Sequence, residues 1–116
     1  MRRDIKRLKG ITTQTLLTLT VLTAAKGINN FMGHQESWYN LPMKKVIERA
    51  DHVFGKNPYW IREEDGVKMY GPFVICAGKS SRYGEVIDTS LGKGLILDTG
   101  DFVKENPDMI DIATAW

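Results

Sequence analysis

The alternation of apolar and polar positions divides the chain into one helical stretch followed by several short strands. Apolar residues recur every three or four positions over residues 42–54, which predicts an amphipathic helix whose apolar stripe packs on a core. Asn40 is expected to cap this helix, and Gly55 to end it in a left-handed conformation. Beyond Pro58, short apolar runs alternate with turn residues and indicate a mostly-β region. The predicted strands are 59–62, 67–70, 73–77, 85–89, 94–98 and 110–115.

The N-terminus has a pattern of its own. Residues 1–9 hold five basic side chains and one acidic side chain, and residues 10–25 carry no charge and have an apolar centre. This order is typical of secretory signal peptides and signal anchors. We therefore predict a signal peptide or membrane anchor over 1–25 that can contact the membrane, a linker over 26–36 and a folded domain over 37–116. The alternative is a surface helix of a cytosolic protein.

Composition and charge narrow the class of protein. With 42% hydrophobic and 26% charged residues among 116, the chain has the composition of one folded domain. Outside the first nine residues, acidic side chains slightly outnumber basic ones, which argues against a nucleic-acid partner. The single Cys76 lies in an apolar run and is predicted to be a buried structural thiol. His34 and His52 have no partners at metal-ligand spacing, so neither a metal nor another cofactor is expected.

Two carboxylates stand out as candidate chemistry. Asp98 ends an apolar strand just before Thr99 and Gly100, and Asp111 opens another apolar strand. Carboxylates at the ends of neighbouring strands would be aimed by a rigid sheet into one pocket, as the cleavage of glycosidic bonds requires. The simpler interpretation of Asp98 is a turn residue whose carboxylate binds local N–H groups.

These residues also carry a resemblance. The segment 97–100 together with Asp111 and Ile112 resembles the aspartate-Thr-Gly and aspartate-leucine elements of the three-aspartate (3D) domain family. Segments 38–43 and 59–69 resemble the leader of the same family, so the similarity spans roughly residues 37–116. It implies a six-stranded double-psi β-barrel, here preceded by the amphipathic helix and an N-terminal hydrophobic segment. Barrels of this kind occur in membrane-bound lytic transglycosylase A, stationary-phase muralytic factors, rare lipoprotein A and expansins.

The resemblance implies a role for each matching residue. Asp111 falls on the family's last aspartate and would be the general acid and base. Asp98 matches the middle aspartate and would orient the substrate, while its negative charge would raise the proton affinity of Asp111. Thr99 and Gly100 would form the turn that binds sugar oxygens.

The chain departs from the family pattern at two positions. Lys79 stands near the place of the first family aspartate, in a shortened loop, and Asp101 replaces the second glycine of the aspartate-Thr-Gly-Gly turn. Both positions are included among the candidate substrate-binding residues. An aspartate at 101 also removes backbone freedom if that turn needs a positive φ.

The expected function is cleavage of the glycan strand of peptidoglycan, by a lytic transglycosylase or muramidase that is secreted or anchored outside the membrane. One alternative is a non-catalytic wall-binding barrel that uses the same cleft and has lost the first family aspartate. A second alternative is an accessory protein of a phage or mobile element, tethered at the membrane.

Overall fold

The computed structural model describes residues 27–116. These residues form eight strands, one α-helix and two short 3-10 turns. The predicted signal segment lies outside the described residues. The elements are β1 (Asn29–Phe31), β2 (His34–Tyr39), α1 (Lys44–Phe54), β3 (Tyr59–Ile61), β4 (Lys68–Tyr70), β5 (Phe73–Ala77), a 3-10 turn (Ser80–Arg82), β6 (Val86–Thr89), β7 (Gly92–Asp98), a second 3-10 turn (Asp101–Lys104) and β8 (Ile110–Ala113).

All eight strands belong to one mixed sheet. Its main path runs β1-β2-β8-β5-β4-β3, with β7 attached to β5 and β6 attached to β7. The pairs β2–β8 and β5–β7 are parallel, and the other pairs are antiparallel. β5 is the central strand, because it pairs with β4 along its first half, with β8 along its second half and with β7 on its other side. The sheet therefore depends on β5 for its continuity.

The prediction of a mostly-β fold with one helix is confirmed, but the pairing of residues 27–116 does not close into a barrel. The path ends at β1 and β3, and β6 ends the branch. These three strands are only three or four residues long, so each offers few backbone groups for closure. The structure is an open sheet of eight strands where a closed sheet of six was expected.

The predicted elements beyond residue 40 are found close to their expected places. A strand lies within or at each of the six predicted ranges, and β5 has the predicted bounds. The helix begins at Lys44 and lacks a side-chain cap, because the side chain of Asn40 instead accepts a hydrogen bond from Lys68 Nζ at 2.7 Å. Gly55 ends the helix as predicted, and its N–H donates to the carbonyl oxygen of Asp51. Its φ of 88° is positive, but its ψ of 162° is extended, so it does not have the left-handed helical conformation that was expected.

The segment assigned to a linker is instead part of the sheet. Residues 29–31 form β1, and β2 begins at His34 and pairs with both β1 and β8. The connection is a two-residue turn in which Met32 and Gly33 have φ values of 46° and 88°. Two successive positive φ values suit the twist of a hairpin, but Met rarely adopts one, so the turn has no strong sequence signal.

Apolar side chains pack on both faces of the sheet. The face under α1 carries a core of Met43, Ala50, Tyr70, Ile75, Leu95, Leu97 and Ala113. The opposite face carries Val67, Met69, Val74, Cys76, Ile96, Ile110 and Ile112. Cys76 is fully buried, as predicted, and burial raises the pKa of its thiol well above the ordinary range. Its environment is that of a packing residue.

Glu36 is a fully buried carboxylate that joins β2 to the β6–β7 turn. Its two carboxylate oxygens accept hydrogen bonds from the backbone N–H of Ser90 at 2.9 Å and from the Ser90 hydroxyl at 2.5 Å. Asn29 Nδ2 donates to it at 3.4 Å, and His34 Nε2 lies 3.2 Å away. A buried charge is tolerated when it is hydrogen-bonded in this way, so the contact fixes the first hairpin against the distant turn.

Replacing Glu36 by Gln is expected to lower the free energy of unfolding by about 2–3 kcal/mol, because an NH2 group would then face a donor in a buried site. Urea unfolding followed by tryptophan fluorescence measures the change. The matched control is Asp88→Asn, which removes the exposed ion pair of Asp88 with Lys93 in the β6–β7 hairpin. It should change the free energy by no more than about 0.5 kcal/mol. Equal effects of the two substitutions would contradict the role given to Glu36.

Candidate functional site

The two candidate carboxylates lie on the strands that flank the end of β5. Ala77 pairs with Asp98 of β7 on one side and with Asp111 of β8 on the other. Residues that pair across strands direct their side chains to the same face of a sheet. Ala77 is buried and has only a methyl group, so no large side chain of β5 stands between the two acids.

A bulge directs Asp98 to the face that lies under α1. The β5–β7 register shifts between Cys76 and Ala77, so that Leu97 is an extra residue on β7. A bulge lets two consecutive residues of one strand point to the same side. Leu97 packs in the core under α1, and Asp98 lines a cleft together with it, which agrees with this orientation.

The hydroxyl of Tyr39 connects the two acids electrostatically. It donates a hydrogen bond to Asp98 Oδ2 at 2.9 Å. Burial is the largest cause that raises the pKa of Tyr39 far above its ordinary value, and the negative charges of Asp98 and Asp111 raise the pKa further. The hydroxyl of Ser37, two residues earlier on β2, donates a hydrogen bond to Asp111 Oδ1 at 2.9 Å. One strand therefore positions both carboxylates.

Both acids keep partial contact with solvent, since neither Asp98 nor Asp111 is buried. Asp98 forms no ion pair with a basic side chain of residues 27–116. Its partners are hydroxyl and N–H groups. These uncharged donors orient a carboxylate without balancing its negative charge.

A cleft of about 190 Å³ opens beside Asp98, between α1 and the first 3-10 turn. Its lining combines hydroxyl groups and charged groups with an aromatic ring and two apolar side chains. The lining residues are Lys45, Val46, Arg49, Ser80, Tyr83, Leu97, Asp98 and Thr99. Two of the predicted site residues, Asp98 and Thr99, thus lie at a concave surface, where small ligands usually bind. Asp111 is not among the lining residues, so this cleft does not hold both acids as expected.

The other predicted binding residues, Gly100, Asp101 and Lys79, lie outside the cleft. Gly100 follows Thr99 with an extended φ of −153°, and Asp101 starts the second 3-10 turn, so neither position has the positive φ that favours glycine. The Asp101 side chain is 97% exposed, and its carboxylate is 3.6 Å from Lys104 Nζ. Lys79 is exposed and precedes the first 3-10 turn. None of these three residues lines the cleft.

Several residues of this region have only a weak signal in the sequence. Tyr39 lies at the end of a strand, where tyrosine is common. Its contact with Asp98 cannot be seen in the sequence because the two residues are 59 positions apart. Lys45 and Arg49 belong to the polar side of an amphipathic helix, which usually faces solvent. Their position over the cleft follows from the packing of α1 on the sheet, which periodicity does not predict.

Four other large aromatic side chains lie outside the cleft. Tyr59, Trp60 and Trp116 are between 40% and 48% exposed. Trp38 is partly buried against the second core, with its ring 6.2 Å from that of Trp116. None of the four lines the cleft beside Asp98.

Residues 27–116 contain no group of three or more side chains suited to a metal ion. In the same residues there is no helix with the length and apolarity that crossing a bilayer requires.

Comparison of the chain with protein-family models, with curated proteins and with solved structures gave no match. The resemblance to the 3D domain therefore stays a hypothesis based on the residues quoted above.

The pKa of Tyr39 predicts how the fold responds to alkali. Because the folded state holds the phenol protonated, its contribution to stability is complete below pH 10 and is lost as pH rises above that unfolded-state value. Absorbance at 295 nm measures how many tyrosines have lost their proton. Up to about pH 11, the folded chain and its folded Tyr39→Phe variant should show the same increase in this absorbance. In concentrated urea, where Tyr39 is exposed, the increase in absorbance of the variant should be smaller by the contribution of one tyrosine. A difference between the two native proteins near pH 10 would contradict the buried hydrogen bond.

Proposed function

We propose that this chain is an exported domain that cleaves the glycan strand of peptidoglycan, and that its sheet is an open form of the double-psi arrangement implied by the 3D-domain resemblance. The observation that supports the activity is the placement of Asp98 and Asp111 on either side of Ala77, with both charges acting on one tyrosine hydroxyl. The observation that supports the fold is β5, which joins the two parallel strand pairs.

In this proposal Asp111 is the general acid and base. It donates a proton to the glycosidic oxygen as the bond from that oxygen to the muramyl anomeric carbon breaks. The resulting carboxylate then takes the proton of the muramyl 6-hydroxyl, whose oxygen bonds to the same carbon and closes a 1,6-anhydro ring. No water is consumed. Ser37 holds the Asp111 carboxylate at 2.9 Å and fixes the direction of the proton transfer.

Asp98 has a supporting role in the same reaction. Tyr39 and the N–H of Thr99 each donate to one oxygen of its carboxylate, both at 2.9 Å, so its orientation is fixed. A fixed negative charge beside the reacting sugar would stabilise the positive charge that develops on the ring in the transition state. The exposed hydroxyl of Thr99 stands next to it and is available to a sugar oxygen.

The second candidate function is wall binding without cleavage. It is favoured by Lys79, an exposed basic residue near the place where the family has its first aspartate. It is also favoured by the cleft, whose hydroxyl and basic groups suit recognition of a sugar whether or not a bond is broken. The two candidates differ in their products and not in their ligand.

Digestion of purified sacculi, with mass spectrometry of the soluble products, tests the proposal. The chain is expected to release 1,6-anhydromuropeptides, and Asp111→Asn should slow the release at least about 100-fold because a general acid is lost. Asp98→Asn should slow it about tenfold or more, since the amide keeps the shape and removes the charge.

The matched control for both substitutions is Asp108→Asn, which changes an exposed aspartate that is not among the predicted site residues. It should retain nearly full activity. Release of products with reducing ends would show that the chain hydrolyses the glycan and does not form the anhydro ring. Sedimentation of the chain with sacculi and no release of products would replace cleavage by binding. Full activity of Asp111→Asn would remove this residue from the mechanism.

A further inference from the structure

The cleft beside Asp98 has a surplus of positive charge. Lys45 and Arg49 line it from α1, and Asp98 is the one acidic residue among its lining residues. The two basic residues are four positions apart and therefore lie on the same side of the helix, where like charges repel each other. Neither forms an ion pair with a carboxylate of the described residues. The cleft thus leaves one positive charge unbalanced.

Arg49 is held in place although no acidic side chain of residues 27–116 pairs with it. Its guanidinium carbon lies 3.9 Å from the centroid of the Tyr83 ring, within the range of a cation–π contact. The Tyr83 ring is itself stacked on Phe54, with the ring centroids 5.7 Å apart. A guanidinium fixed by stacking loses less conformational freedom when it binds a ligand through its N–H groups.

Residues with hydroxyl groups line the same cleft as these two cations. Ser80 and Thr99 line the cleft and are exposed, so their hydroxyls are accessible to a ligand. The hydroxyl of Tyr83 is buried and has no hydrogen-bond partner within the described part of the chain. Buried polar groups usually have a partner, so this one marks a place where the protein alone leaves the hydrogen bonding incomplete.

The carboxylate of Asp98 does not neutralise the two cations directly. Its oxygens are engaged by the Tyr39 hydroxyl and by the N–H of Thr99. One acidic charge beside two basic charges matches a ligand with a single negative charge better than one with two. A carboxylate also fits the planar fork of an arginine, which binds it through two parallel hydrogen bonds.

We propose that Lys45, Arg49 and Ser80 form a subsite for the carboxylate of an acidic sugar, of which N-acetylmuramic acid with a free lactyl group is the simplest example. The inference rests on the proposed function, since it names the part of a wall glycan, after removal of its stem peptide, that this cleft takes. It assigns the polar side of α1 to ligand recognition. Arg49 would bind the carboxylate through its N–H groups, Lys45 would add a second charge, and Ser80 would donate a hydrogen bond.

Titration of the isotopically labelled chain, followed by NMR of its backbone amides, tests this subsite. N-acetylmuramic acid is expected to shift the amide signals of Ser80 and Thr99, and its methyl ester, which differs in charge, should bind at least tenfold more weakly. Arg49→Met should remove most of the difference between acid and ester. Lys45→Met should reduce it.

The control variant is Lys44→Met, which removes an exposed lysine of the same helix that does not line the cleft. It should leave the preference for the acid unchanged. Lactate and inorganic phosphate serve as further ligands, and both should bind more weakly than the acidic sugar. Equal binding of acid and ester, tighter binding of phosphate, or an equal effect of Lys44→Met and Arg49→Met would overturn the proposal.

This experiment is independent of catalysis. A free monosaccharide contains no glycosidic bond to a second sugar, so its binding does not require cleavage. If the acid is preferred and sacculi are not digested, the subsite stands and the enzymatic proposal fails. If sacculi are digested and the acid is not preferred over its ester, the subsite fails and the enzymatic proposal stands.

Discussion

The pairing of β5 with three other strands is the constraint on which the rest of the structure depends. Its first half pairs with β4, its second half with β8, and its other side with β7. The carboxylates of Asp98 and Asp111 reach the same region because both pair with Ala77 at the end of this strand. Any change that shifts β5 by one residue would move its buried side chains to the opposite face and remove Ala77 from its place between the two acids.

Three polar residues of β2 form hydrogen bonds that fix the elements around β5. Glu36 binds the β6–β7 turn on one side of the sheet, while Ser37 and Tyr39 bind the two acids on the other. Neighbouring residues of a strand point to opposite faces, so consecutive residues of β2 can serve both purposes. The hairpin of β1 and β2 is therefore part of the site's support and not a connection that precedes the domain.

Local patterns in the sequence predict much of this architecture. Helix α1 and the strands from β3 to β8 follow from apolar periodicity and from turn residues, and Asp98 and Asp111 follow from their places at strand ends. The first hairpin is missed because its turn has the unusual residue Met32 and because the burial of Glu36 depends on Ser90, 54 positions away. The open edges of the sheet are missed too. The strands at these edges are three or four residues long, and sequence patterns do not determine the ends of such short strands.

The cleft is the part of the site that the sequence does not predict. Lys45 and Arg49 are ordinary residues for the polar side of a helix, and they gain significance only because α1 lies over the first 3-10 turn. Tyr39 gains its role in the same way, through a hydrogen bond to a strand 59 positions further along the chain. Tertiary packing therefore determines which polar residues line the cleft, and the two acids alone describe the candidate site incompletely.

In the proposed function, Asp98 and Asp111 act together on one glycan strand. A double-mutant cycle on the initial rate of sacculus digestion tests this cooperation, by comparing Asp98→Asn, Asp111→Asn and the variant with both changes. Residues that act as a unit give losses that do not multiply, so the double variant should be about as slow as Asp111→Asn alone. Losses that multiply would show that the two carboxylates act independently, and digestion that neither substitution slows would exclude both residues from the reaction.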